Sequence, residues 1–474
     1  MAYKHGIRIQ ENPTNVAAPV MLENGVPVIF GTAPVNLAAN PKAATNQLFL
    51  CKTFAEAVQN LGYSDDYESY TLCQAMDAFF KAFGVGPVVL CNVLDPEKHT
   101  AEYTEELSVV DGQAVSEVKG VLQEGLTVAG KELDTDYTVD YNDDGCMVFT
   151  MLTGNTDPLR VTGKKLDPKK VKASDVIGSY DVDTGIETGF ELVRKVYPAF
   201  GLTPGLLLAP GWTQDPSVGI ALVNKCMDIN GLFRCECLID LDTETVTKYT
   251  DVEQAKADSG ITSEHAILLW PKVKYARKDM AYSAMYAALV AYTDYQNDNV
   301  PNLSPSNHSL PISATVLADG TEILLDNPQG NELNAIGVVT ALNLNGYKAW
   351  GNNTAAYPDV TDPKDRWICC RRFFSWWGNS FITRYMEKVD NPANYRLIES
   401  IVDTENVRGN SLTSMGKCAG IKMVYDQADN PLNQVLDGRI VFRQYLAPYT
   451  PAEDILNILE FDPSMIETAL GGGE

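Results

Sequence analysis

Between residues 187 and 270, short apolar runs alternate with stretches of helical period, and few architectures accept that alternation. GLLLA (205–209), residues 231–240 and HAILLW (265–270) read as strands. The intervening 187–200, 216–229 and 243–257 read as helices. Strands separated by helices run parallel, because a parallel return needs a crossover about a helix long, and both sheet faces are then covered. The expectation is an α/β chain built on a central, mostly parallel sheet.

The same pattern begins upstream. GVPVIF (25–30) reads as a buried strand, 53–61 as a short helix and PVVLCNVL (87–94) as a second strand. Over 68–83 a longer helix is expected. Leu72, Ala75, Met76, Phe79, Phe80 and Phe83 fall at i, i+3, i+4, i+7, i+8 and i+11 on one face, with Gly84 placed as C-cap. From about residue 101 the period changes. Tyr137, Val139 and Tyr141 alternate, Asn142-Asp143-Asp144-Gly145 supplies a turn, and Met147, Phe149 and Met151 alternate again, which is a hairpin signature. Residues 101–173 are therefore expected to form a small β unit inserted into the α/β chain. Further on, 280–292 is apolar almost all round and reads as a buried helix. Helices are expected over 332–342, 373–389 and 392–407, and a strand over 438–446.

Charge excludes one class of partner. The 474 residues carry a formal net charge of −25, and phosphate contacts need clustered Lys and Arg, so nucleic acid is not an expected ligand. The inserted unit is the most acidic part, with 13 Asp and Glu against 2 Lys over 101–157, and a basic run (Lys164, Lys165, Lys169, Lys170, Lys172) leads out of it. The opening MAYKHGIRIQ lacks the apolar region of a secretion signal, and 280–292 is too short to span a bilayer. A soluble chain made in the cytoplasm, without membrane insertion, is expected. Its ten cysteines are then expected to be reduced core residues. Ile7 and Ile9 alternate with Arg8 and Gln10 in strand period before Asn12-Pro13 interrupts. A lone terminal strand must pair with a sheet, in its own subunit or a neighbour.

Catalytic and metal motifs are weak. There is no GxxxxGK[ST], no GxGxxG after a strand, no HExxH and no paired CxxC. Cys235 and Cys237 share a strand face, but two thiolates do not complete a zinc site. Asp183-Thr184-Gly185, His5-Gly6 and Thr413-Ser414-Met415 imitate pieces of a subtilisin-type triad, yet Leu412 stands where that motif has glycine. The alternative they leave is a cytoplasmic α/β hydrolase of serine type. His265 and His308 show no recognisable partners. No cofactor or metal is expected.

The most unusual local stretch is 363–388. It sets Lys364, Arg366, Arg371, Arg372, Arg384 and Lys388 against Asp365 and Glu387, amid Trp367, Phe373, Phe374, Trp376, Trp377, Phe381 and Tyr385. Trp, Tyr and Arg favour interface anchors, while a core helix with a wet basic side explains the same composition. Just upstream runs GYKAWGNNT, then a Pro/Asp loop and DRWICCRRFFSWW. This block resembles the G-x-x-x-W-G-x-x-T…W-x-x-x-x-x-R-R signature of contractile tail sheath proteins. Trp350, Gly351, Thr354, Trp367, Arg371 and Arg372 fall on it; Asn352-Asn353 stand where relatives often have Ala-Arg. The opening His5-Gly6-Ile7-Arg8-Ile9, the segment LDTDYTVDYNDDGCMVF and the closing 438–462 are similar to sheath sequences in the same order.

The resemblance implies a multidomain α/β fold with subtilisin-like topology. Its parts are an N-terminal arm (1–21), the first part of the α/β domain (22–100), an inserted β-sandwich-like domain (101–173), the main α/β sheath domain (174–345), an α+β C-terminal sheath domain (346–450) and a C-terminal arm (451–474). It implies a structural subunit, not an enzyme, that stacks in hexameric rings around a tail tube and contracts to drive the tube through a cell envelope. Partners implied are further copies of the chain, the tube protein, and baseplate and tail terminator proteins, in a virion tail or a released tail-like particle. His5, Gly6, Ile7, Arg8 and Ile9 at one end, and Ile455, Ile458, Leu459 and Phe461 at the other, are expected as inter-subunit arms. Arg384 and Lys388 are expected to face the tube or a neighbour. Ile455, Ile458 and Leu459 have helical spacing, whereas the resemblance implies a strand there. A secretion-system sheath is a further alternative; its equivalent is commonly split between two chains.

Overall fold

The computed structural model describes residues 20–21, 25–154 and 157–470. Eight strands make the main sheet. In chain order they are β1 (Val26–Gly31), β2 (Leu48–Cys51), β3 (Val88–Asn92), β4 (Pro204–Leu208), β5 (Glu236–Asp240), β6 (Ala266–Leu269), β7 (Val338–Asn343) and β8 (Tyr347–Trp350). Their spatial order is β8-β7-β6-β5-β4-β1-β3-β2. The six inner strands are parallel, with Leu207 opposite Val28, Val28 opposite Val89 and Leu238 opposite Ile267. Both edge strands are antiparallel to their neighbours, so the sheet is mixed rather than parallel throughout. β1, β5 and β6 are buried at every position, as helix layers on both faces require.

The helices that matter for the site are α1 (Phe54–Leu61), α2 (Pro216–Met227), α3 (Tyr282–Gln296), α4 (Asn327–Ala335), α5 (Ile368–Tyr385) and α6 (Tyr395–Ser414). α3 is buried along nearly its whole length, as its all-round apolarity predicts.

Several expected boundaries shift, each for a local reason. The helix expected over 332–342 ends at Ala335. Gly337 follows at φ +74, where a Cβ would sit 2.6 Å from the Thr354 carbonyl oxygen, and the chain turns into β7. The helix expected from 68 starts as α-helix at Leu72 and continues as a π-helical stretch, Asp77–Phe83, before Gly84 at φ +61. Of 187–200, Gly189–Lys195 is 3-10 and only Val196–Phe200 is α-helical. The helix expected over 243–257 is confined to Val252–Ser259, and the strand expected from 231 begins at Glu236, after a tight turn in which Ile229 and Phe233 exchange backbone hydrogen bonds.

Residues 100–166 carry two three-stranded sheets. Thr100–Leu107 and Leu159–Leu166 pair antiparallel in one; Tyr137–Tyr141 and Cys146–Met151 form the expected hairpin in the other. At its turn the Asn142 carboxamide oxygen accepts from the Asp144 and Cys146 amides, and Gly145 takes φ +77. Tyr103, Phe149 and Val161 meet in a hydrophobic cluster separate from the main core.

Beyond α6, strands β9 (Cys418–Val424) and β10 (Arg443–Pro448) form an antiparallel pair against α6. The strand expected from 438 thus begins at Arg443. Residues 451–462 adopt neither the helix their spacing suggests nor a strand, and a short helix, Pro463–Leu470, follows.

Candidate functional site

The block singled out by its sequence is a clasp between two loops. β8 ends on Trp350, whose indole lies against the main core and donates from Nε1 to Asn331 Oδ1 at 3.2 Å. Gly351 then takes φ +142; a Cβ there would lie 2.6 Å from the Asn334 side-chain amide and 3.0 Å from Val339 Cα, so only glycine fits. The next residues zip against the start of α5. Ile368 N donates to Asn352 O at 2.9 Å, Thr354 N to Arg366 O at 2.8 Å, and Thr354 Oγ1 to Asp365 O at 2.6 Å. Arg366 Nε reaches Asn353 Oδ1 at 2.9 Å, and its guanidinium lies over the rings of Tyr357 and Trp367. The spacing between Trp-Gly and Arg-Arg is thus the length of chain needed to close this clasp.

Arg371 and Arg372 point inward. Arg371 Nη1 donates to Asp365 Oδ1 at 2.9 Å. Burial works to raise the Asp365 carboxyl, but Lys364 and Arg371 outweigh it and hold it below the usual carboxylate range. Arg372 grips both oxygens of Asp294 on α3, one bond being 3.1 Å. One turn on, Ser375 Oγ donates to Glu236 Oε1 at 2.6 Å, and Asn379 exchanges two hydrogen bonds with the Arg234 backbone. Burial pushes the Glu236 carboxyl up, while His265, Arg371 and Ser375 pull it further down. The other side of α5 is apolar. Phe373 and Trp377 are fully buried with Leu412, Cys418 and Ile421. The core-helix reading therefore accounts for most of the aromatic and basic residues of this stretch. Arg384 and Lys388 lie beyond it on the surface. Arg384 Nε is 3.8 Å from Glu405, and Lys388 makes no ion pair among the described residues.

The C-terminal segment is tethered to the same clasp and then runs free. Glu453 accepts from Arg366 Nη2 at 3.1 Å and from Asn352 Nδ2 at 3.3 Å. Past it, Ile455, Ile458, Leu459 and Phe461 are 71–86% exposed, a run of large apolar side chains covered by none of the described residues. An open groove of about 450 Å³ lies on the β9–β10 pair, lined by Asn410, Thr413, Ile421, Lys422, Tyr445 and Leu446. His5, Gly6, Ile7, Arg8 and Ile9 lie outside the described residues.

Of the triad fragments, those at Asp183 and Ser414 are held in local hydrogen bonds of their own segments, and His5 lies outside the described residues. Asp181 closes an exposed turn by accepting from the Asp183 and Thr184 amides. Ser414 Oγ and Thr413 Oγ1 donate back to Asn410 O and Gly409 O in their own helix. His265, read from sequence as lacking partners, is buried with Nδ1 at 3.0 Å from Cys235 O and 3.5 Å from Glu236 Oε1. All ten cysteines are free, and all but Cys146 are buried. Among the described residues no group of His, Cys, Asp and Glu is arranged to hold a metal ion, and no helix is long and apolar enough to cross a membrane. Sequence reasoning missed Asp294 and Glu236 as partners. A lone acid in the apolar α3 and a Glu between two strand cysteines were the available signals.

No protein-family model matches the chain. It is similar along its whole length to the tail sheath protein of Burkholderia phage BcepMu, 26% identical over 99% of both chains. The chain is thus similar from end to end to a contractile tail sheath protein. A second relative, the major tail sheath protein of Serratia phage KSP20, is 24% identical over 65% of this chain and 76% of its own length. The fold is shared with a solved structure, the PVC sheath complex of an extracellular contractile injection system in its contracted state. That structure is 16% identical with a TM-score of 0.58, covering 98% of this chain and 99% of that one.

Proposed function

We propose that this chain is the structural subunit of a contractile sheath, which polymerises as stacked rings around a tail tube and drives that tube through a cell envelope without catalysing a reaction. The observation that carries this reading is the end-to-end similarity to a phage tail sheath protein. The exposed apolar run 455–461 supports it independently, because contiguous exposed apolar surface of this kind marks a site of interaction with another molecule. The 451–474 segment acts as one inter-subunit arm, and the groove on β9–β10 of a neighbouring copy is of a kind that receives an extended strand. His5 to Ile9 form the other arm. The six-part division at 21, 100, 173, 345 and 450, the subtilisin-like path of the α/β domain and the inserted character of 101–173 belong to this reading. So do the tube, baseplate and terminator partners and synthesis in the host cytoplasm. Arg384 and Lys388, exposed cations on an acidic chain, face the tube or a neighbour.

Co-expression with the adjacent tube protein and negative-stain microscopy test it. Cylinders or rings are expected from the intact chain. Deletion of 451–474, or of 2–10, is expected to leave folded monomers. Discrete small particles from the intact chain refute the sheath reading; cylinders from both deletions refute the arms alone.

A further inference from the structure

Three polar residues on α5, Arg372, Ser375 and Asn379, fall at i, i+3 and i+7, so they form one stripe along the helix. All three are buried. Each reaches a residue of the sheet body far away in sequence: Asp294 on α3, Glu236 on β5 and the Arg234 backbone just before β5. The helix thus meets the body through charge and hydrogen bonds along its middle. Within α5, only Ile368 and Ile382, near its two ends, join the main hydrophobic core.

The opposite face of α5 behaves differently. Phe373 and Trp377 form a core with Leu412, Cys418 and Ile421, to which Val300 alone is added from the body. That block has its own polar hub. Glu405 on α6, fully buried, accepts from Tyr385 Oη and Gln444 Nε2, each at 3.1 Å, and pairs with Arg408 at 3.3 Å. Gln444 in turn accepts from Trp377 Nε1 at 3.1 Å. Residues 368–448 therefore have an apolar core and an internal network of their own, divided from the main core by the polar stripe.

The seam is also loosely filled. A cavity of about 30 Å³, enough for a water, opens between Glu236, Asp294, Asn299, Arg372, Trp376 and Asn379. Trp376 Nε1 and Asn299 Oδ1 are shut off from solvent there without a protein partner. Parting an apolar seam exposes hydrocarbon to water. Parting this one returns charged and polar groups to water, which recovers much of their lost hydration. Polar interfaces within a chain are accordingly the ones along which parts move.

We propose that this seam is a hinge: the block 368–448 is a second rigid body that parts from the sheet body along the polar stripe of α5 before either hydrophobic core opens. The block carries the β9–β10 pair and the groove on it, while the segment past Pro448 is tied back to the clasp through Glu453.

Native-state hydrogen exchange of the intact, unassembled chain in low urea, read by mass spectrometry, tests it. Amides of β9 and β10 are expected to exchange at least tenfold faster than those of β5 and β6, as one group. Asn379→Ala is expected to speed β9 and β10 about a further tenfold and leave β5 and β6 unchanged. Asn379→Ser, which keeps a small neutral hydrogen-bonding group in the seam, gives a smaller rise of the same kind and serves if the alanine variant does not fold. A single exchange rate shared by all four strands, or a rise of equal size in all four on substitution, overturns the hinge.

Discussion

Replacing Arg372 by methionine isolates the worth of one buried ion pair. Methionine keeps most of the aliphatic stem, so little cavity is created, but Asp294 is left with no cation. The Arg372 side chain is 8% exposed and that of Asp294 12%, so solvent cannot substitute for the missing guanidinium. The stranded carboxyl has one escape, which is to take up a proton. Starting from an ordinary pKa near 3.9, holding it neutral at pH 7 costs about 1.4 kcal/mol per pH unit, roughly 4 kcal/mol in all. That agrees with the 3–5 kcal/mol typical of removing one partner from a buried pair. Burial already holds the Asp294 carboxyl above the usual carboxylate range against the pull of Arg372, and in the variant its folded pKa rises further above the unfolded one. The folded chain then binds a proton the unfolded chain lacks, and stability is lost as pH rises from about 4 towards 7. At pH 5 the deficit shrinks to about 1.5 kcal/mol. Urea denaturation followed by tryptophan fluorescence at both pH values measures this. Asp294→Asn added to Arg372→Met is expected to restore most of the loss and abolish its pH dependence. A deficit below about 1 kcal/mol at pH 7, or the same deficit at pH 5 and pH 7, would refute the assignment.

Two further outcomes follow from single side chains. Asp240, fully buried and hydrogen-bonded to Ser283, is pushed up to about 6 by burial against the pull of Ser283, so its contribution to stability is complete below about pH 4 and lost as pH rises through 6. Asp240→Asn is expected to gain about 3 kcal/mol on the wild type between pH 4 and pH 7, and a difference that stays flat over that range contradicts the burial argument. Gly351→Ala forces a Cβ against Asn334 and Val339 at a backbone angle unsuited to other residues, and is expected to cost about 2–3 kcal/mol in thermal or urea unfolding; an unperturbed midpoint would show that the clasp relaxes freely.

The parts of the fold legible in sequence were those where one period ran uninterrupted. β1, β3 and α3 fall close to where their apolar runs place them, and the hairpin around Asn142 to Gly145 is announced by its turn residues. Errors arose where a backbone device overrode the period. Gly337 ends α4 and lets an apolar stretch that also reads as helix become β7. The antiparallel edge strands have no signature at all, since strand direction is set by where the chain returns from. The clasp was found through its motif, yet composition alone could not say that Arg371 and Arg372 face inward. That depends on Asp365 and on Asp294, the latter 78 residues away. The C-terminal run follows neither reading: residues 451–462 take up neither the helix nor the strand.

The order of strands in the main sheet also bears on how the chain reaches its fold. β1 lies between β3 and β4, so the sheet cannot close until chain on both sides of 100–166 comes together. Non-local parallel pairing of this kind is slow, because the entropy of loop closure must be spent before any contact rewards it. The two small antiparallel sheets interpose local contacts in that connection. Once formed, they draw Thr100 and Leu166 into direct register, so the effective loop between β3 and β4 shortens to less than half its length. The saving is only about 1 kcal/mol, and it applies to the long-range closure of the sheet. Destabilising Phe149 or Val161, far from the main sheet, should therefore slow refolding of the whole chain while leaving its unfolding rate nearly unchanged.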